Sequence, residues 1–129
     1  MNNYEEIKTF VRNTLGCGCP DEVFRIIECQ SSLRVHDIVL RSRLNIGNRL
    51  LIYIAEIDDT DVIKEVLPIL VDAGKKERNR LGFNRLRIVV AAHSPEKIRN
   101  AAEALFSSAN KDEKIHLHII DTADIPAFS

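Results

Sequence analysis

"LRIVVAAHSPEKIRNAAEALFSSANKDEKIHLHIID", residues 86–121, decides the fold. Its opening "LRIVVAA" is a short apolar run bounded by polar residues, the pattern of a strand buried on both faces of a parallel sheet. Ser94, Pro95 and Glu96 then supply a cap, a first-turn proline and a first-turn acid. Ile98, Ala101, Ala102, Leu105 and Phe106 follow at i, i+3, i+4, i+7 and i+8, one apolar stripe of an amphipathic helix. "NKDEK" turns the chain and "IHLHIID" returns as a strand. Strand, helix and strand in this order make a β-α-β unit with parallel strands and a right-handed crossover.

The same grammar extends upstream. "RLLIYIAEI" is a nearly continuous apolar run, and "DDTDVIKEVLPILVDAG" opens with capping residues before an apolar stripe at Val62, Ile63, Val66, Leu67, Leu70 and Val71. This predicts a second crossover, with Pro68 kinking the helix or starting a new piece. Gly74 is one stop for it, and "KKERNRLGFNR" reads as a solvated tail or connector. Earlier still, Ile38, Leu40, Ser42 and Leu44 alternate with Arg41 and Arg43, and "NIGN" supplies a turn, so residues 38–57 read as an antiparallel hairpin.

"VFRIIEC", 23–29, fits both periods and is read as one helical turn followed by a strand. Ile7, Phe10, Val11 and Leu15 form a helix face after Asn2 or Asn3 as cap, Gly16 offers a left-handed stop, and Pro20, Asp21 and Glu22 start a new turn. "TADIPAFS" is a tail that Pro126 keeps out of the sheet.

The prediction is a single compact α/β domain over 1–129: an N-terminal helix, then a mixed sheet whose antiparallel hairpin precedes two β-α-β crossovers. Both crossover helices should cover one face of the sheet and the N-terminal helix the other. No repeat or low-complexity linker divides the chain.

With 129 residues the chain can close one core. Its 45% hydrophobic and 29% charged content is that of a soluble globular protein, and no apolar run reaches the length of a membrane span. Eighteen basic against 19 acidic residues leave a charge of −1, so no global field draws it to nucleic acid or to a membrane. The N-terminus carries acids early and lacks a secretory apolar segment, which predicts a cytoplasmic protein with reduced thiols.

Against that background "LGCGCPDEVF", 15–24, stands out, because two of only three cysteines are one glycine apart. Cys17 and Cys19 lie just ahead of a helical start, where unpaired backbone N–H groups favour the thiolate that attacks or binds metal. A disulfide between them is within Cα reach in a small ring. The competing reading makes the cysteines small apolar fillers with Gly16 and Gly18 serving the backbone. Cys29, alone on a strand, reads as core.

A metal needs more ligands than Cys17 and Cys19 supply. His116 and His118 alternate onto one face of the last strand, and His93 ends the preceding strand, where open α/β sheets place ligands. Two of these with both cysteines would hold zinc or another thiophilic metal. An Fe–S cluster would have to be shared between chains or completed by non-cysteine ligands. The plainer readings are a polar edge strand for His116 and His118 and a helix-entry residue for His93.

"DDTD", 58–61, and "DTAD", 121–124, follow strands and have the chemistry for Mg²⁺, but Asp and Thr there are first of all caps and turn formers. Lys75, Lys76, Arg78, Arg80, Arg85 and Arg87 are either a phosphate contact or a solvated helix face, the latter favoured by the interrupting Glu77 and the lack of aromatics. "GCGCP" lacks the lysine and hydroxyl of a phosphate loop, and neither G-x-S-x-G nor H-E-x-x-H occurs.

"TLGCGCPDEVF" resembles the start of small prokaryotic proteins sharing an LGC-x-CP-x-EVF pattern, with "GRLLIYI"-like and "GFNR"-like segments farther on; the corresponding stretches here are "NRLLIYI" and "LGFNRLRIVV". The resemblance implies a self-contained small protein, singles out Cys17, Cys19 and Pro20, and brings no activity with it.

Two functions follow from the residues. In one, Cys17 and Cys19 serve thiol redox chemistry or bind metal with His93, His116 or His118. In the other, the chain is a non-enzymatic module whose final strand or first helix docks a second copy or another protein, and the cysteines merely pack.

Overall fold

The computed structural model describes residues 4–16, 18–35, 37–109 and 112–126. Among these, five strands form one mixed sheet in the order β1-β2-β3-β4-β5: β1 Ile27–Val35, β2 Ile38–Ile46, β3 Leu50–Glu56, β4 Arg85–Ala92 and β5 Ile115–Asp121. The first three strands pair antiparallel and the last three parallel. Helices α2, Thr60–Leu81, and α3, Pro95–Ser108, make the two crossovers, and α1, Tyr4–Thr9, continues into a wide helical turn at Phe10–Thr14. The domain is α/β as its periodicities predict, and residues 21–35 are a 3-10 turn followed by a strand.

Alternation along the central strands sorts the core into two layers. Leu51, Tyr53, Ala55, Leu86, Ile88 and Val90 face α2 and α3. Ile52, Ile54, Val89 and Ala91 face the N-terminal segment, where they meet Ile7, Phe10 and Val11. Ile125, in the tail, is buried in this second layer, so the chain after β5 packs against the sheet rather than trailing from it.

Helix α2 differs from its sequence reading. It runs without a stop through Pro68 and Gly74, and "KKERNR" forms its last turns rather than a connector. Gly74 answers a packing need: a Cβ there would lie 2.6 Å from Leu86 Cδ2 and 3.2 Å from Tyr53 Cε2, so glycine lets the helix approach the sheet. The helix ends at Gly82, whose φ of 80° takes the left-handed cap and whose N–H donates to the Arg78 carbonyl. At its start Asp59 accepts from the N–H groups of Asp61 and Val62.

The acidic stretches therefore act as caps. Asp58 accepts from the His93 N–H at 2.6 Å, and Asp121 from the Ala123 N–H at 2.9 Å. None of the helices among the described residues is long and apolar enough to cross a membrane.

Candidate functional site

β3 and β4 begin side by side, with Leu50 opposite Arg85 and Ile52 opposite Arg87. Arg49, just before β3, accepts at its carbonyl from the N–H groups of Asn84 and Arg85, at 2.8 and 3.2 Å. This pins the starts of the two strands together and sets Arg49 beside Arg85. Alternation then places Arg85 and Arg87 on the face that carries the N-terminal layer. On β5, His116 lies opposite Arg87 and His118 opposite Val89, so both imidazoles share that face.

Leu15 on one side and Cys19 to Asp21 on the other are tied to this corner by side chains. Arg87 Nη1 donates to the Leu15 carbonyl at 3.0 Å. Arg12 Nη2 donates to the Cys19 carbonyl at 3.0 Å and to Asp21 Oδ1 at 2.6 Å, and Lys8 reaches the same carboxylate at 3.3 Å. Hydrogen bonds from Arg12 and Lys8, and then their charges, hold the Asp21 carboxyl below its ordinary range. Gly16 takes a φ of 71°, as the sequence predicts for a left-handed helix stop.

Two hollows open on either side of Arg87. One, of about 400 Å³, is bounded by Gly18, Cys19, Arg49, Arg85 and Arg87, with Pro20, Val23 and Leu50 as its apolar wall. The other, of about 630 Å³, lies at the β5 edge between Arg87, His116 and His118 on one side and Arg99, Glu103 and Phe106 of α3 on the other.

Electrostatics separates these groups. Burial, then the Arg87 charge and His116, push His118 down to about 4. Burial, with Arg87 and Arg85, lowers His116 as well. Both imidazoles are therefore neutral at pH 7. Arg87 itself is held below the usual arginine value by burial and by Arg85, and its Nε is buried with no acceptor among the described residues.

Cys19 is half-buried against the N-terminal layer and lines the smaller hollow, flanked by exposed Gly18 and Pro20. Burial raises the pKa of the Cys29 thiol. Cys17 lies outside the described residues.

His93 is exposed just past the far end of β4. Eight residue steps from Arg85 to His93, at roughly 3.3 Å each, set it roughly 25 Å along the sheet from the Cys19 corner. The structure thus brings Cys19, His116 and His118 around Arg87 and leaves His93 at the other end. Among the described residues no three His, Cys, Asp or Glu side chains converge as a metal-binding group.

Sequence reasoning passed over Arg49 and misplaced Arg85 and Arg87. The basic cluster it joined is split: Arg78 is buried and paired with Asp112, Arg80 with Glu77 and Lys76 with Asp72, all from α2, while Arg85 and Arg87 belong to the opposite side of the sheet. The available signal was the i, i+2 pair of arginines opening an otherwise apolar strand.

Fold and site together define a small α/β protein with an arginine-walled hollow beside Cys19. No family model, curated protein or solved structure matches the chain.

Proposed function

We propose that the protein is a thiol–disulfide protein in which Cys17 and Cys19 form a reversible pair. The observation that carries this reading is the position of Cys19 on the wall of a hollow shared with Arg49, Arg85 and Arg87. Guanidinium groups beside a cysteine favour the thiolate and so raise the population of the attacking species. The same positive charge opposes capture of a metal cation, which is why redox chemistry is preferred here to metal binding.

In the reduced protein the Cys19 thiolate attacks one sulfur of a substrate disulfide. A new S–S bond forms, the substrate bond breaks, and the first substrate thiolate leaves. Cys17, as thiolate, attacks Cys19 Sγ in the mixed disulfide, closes the Cys17–Cys19 bond and releases the second thiolate. Two electrons pass from the pair to the substrate, and a thiol or dithiol reductant restores the pair.

The test compares wild type with Cys17→Ser/Cys19→Ser by thiol counting before and after reduction, with metal content measured on the same samples. Two additional thiols on reduction, rapid exchange with a small aromatic disulfide and loss of both in the folded double variant are expected. Stoichiometric metal that disappears in the double variant, or thiols unchanged by reduction, would overturn the proposal.

A further inference from the structure

We infer that the hollow bounded by Arg49, Arg85 and Arg87 is a binding site for the phosphate group of a small organic phosphate monoester. The inference shares the hollow with the redox reading but does not rest on it.

The argument begins with how this chain treats its other arginines. Those at least partly buried are matched to carboxylates: Arg12 to Asp21, Arg41 to Glu56, Arg43 to Glu77 and Arg78 to Asp112. Arg87 is partly buried too, yet among the described residues it makes no ion pair, and its nearest polar partners are the Leu15 carbonyl and a neutral histidine. Arg85 and Arg49 line the same hollow, again with no carboxylate partner among the described residues and no acid in the lining.

Three guanidinium groups around one concavity repel one another until an anion joins them. Their planar forks match the oxygens of phosphate, and a dianionic head offsets more of this charge than a single carboxylate can. The wall completes the ligand class. A hollow of about 400 Å³ is within the range of small-molecule sites. Pro20, Val23 and Leu50 offer an apolar surface for the organic body, and among the described residues no aromatic ring lines it to stack a base. The occupant is thus a compact phosphate ester rather than a nucleic acid strand.

Calorimetric titration with phenyl phosphate, inorganic phosphate and malonate tests this at low ionic strength. Wild type should bind phenyl phosphate more tightly than inorganic phosphate, and both more tightly than malonate. Arg49→Gln/Arg85→Gln alters two exposed side chains and should weaken phenyl phosphate at least tenfold with an unchanged melting temperature, whereas Arg99→Gln in the other hollow should have no effect. Binding must survive in Cys17→Ser, which abolishes the cysteine pair and leaves the lining side chains of the hollow in place, and this separates the site from the redox reading. Equal affinity in the Arg49→Gln/Arg85→Gln variant, malonate binding as tightly as phosphate, or no binding by wild type overturns the inference.

Discussion

Arg87 Nη1 and His118 Nε2 lie 2.8 Å apart across the β4–β5 pair. An arginine has no acceptor, so His118 Nε2 must accept and its proton must sit on Nδ1. The contact holds only while the imidazole is neutral, because protonation would set a second cation against the guanidinium.

A pH-dependent stability follows. The folded-state value of His118 is about 4, below its ordinary 6.5, so between these values the unfolded chain binds the extra proton. Stability is therefore full above pH 6.5 and is lost as pH falls toward 4, by at most about 3 kcal/mol. Urea unfolding at pH 7.5 and pH 5 should show this loss, and His118→Gln, which keeps an acceptor and cannot charge, should flatten it. Lowered His116 adds a smaller slope of the same sign that the variant retains. An unchanged slope in His118→Gln would contradict the assignment.

Much of this architecture is written in local pattern. The "LRIVVAA" run and the Ile98 to Phe106 stripe each have one period, and each became the element its period demands. Gly74 was ambiguous because its reason is tertiary: only the sheet beneath α2, at Leu86 and Tyr53, requires the missing side chain. The site was harder to see for a related cause. Arg78 and Arg85 are near in sequence but sit on opposite sides of the sheet, and Arg49 meets Arg85 only because β3 and β4 start level. A linear pattern records neither the change of face nor the register between strands.

Gly47 is the second place where packing dictates the residue. Its φ is 64°, its N–H donates to the Ile26 carbonyl at 2.7 Å, and a Cβ would lie 2.4 Å from the Val23 carbonyl oxygen. Backbone cannot swing aside as a side-chain end can. Gly47→Ala should destabilise by about 3 kcal/mol, combining left-handed strain with overpacking. Because Val23 also lines the arginine hollow, the variant should weaken phenyl phosphate as well. Chemical denaturation and calorimetry check both effects, and a stability within experimental error of wild type would contradict the close approach.

The Arg78–Asp112 pair fastens the α3–β5 connection to the end of α2. Arg78 Nη1 and Nη2 meet the two carboxylate oxygens at 2.8 and 2.5 Å, and the guanidinium is almost fully buried. The Arg78 contact holds Asp112 down at about 2. Being depressed, this carboxylate stabilises the fold above its unfolded value near 3.8, and that contribution is lost as pH falls toward 2. Asp112→Asn removes it at every pH and leaves Arg78 without its counter-charge, a loss of about 2 kcal/mol at pH 7. The variant's deficit should shrink below pH 3, as the wild type loses the same interaction. A deficit constant from pH 7 to pH 2 would show that the pair contributes through packing alone.

Cys19 and Cys29 should differ kinetically once the protein is reduced, because their surroundings push the thiol in opposite directions. Cys29 is held up by burial, so its thiolate is scarce at pH 7. Cys19 shares its hollow with Arg49, Arg85 and Arg87, whose positive charge favours ionisation. Alkylation followed by peptide mapping should find Cys19 modified first, and Arg85→Gln should slow it by about threefold, equivalent to half a pKa unit. The arginine is exposed, so raised salt should slow wild-type Cys19 in the same direction and leave Cys29 unaffected. Phenyl phosphate should protect Cys19 by filling the hollow, even at constant ionic strength, whereas salt acts on charge alone. If Cys19 and Cys29 react at one rate, and neither Arg85→Gln nor salt alters it, the guanidinium groups do not act on the sulfur and the redox proposal loses its physical basis.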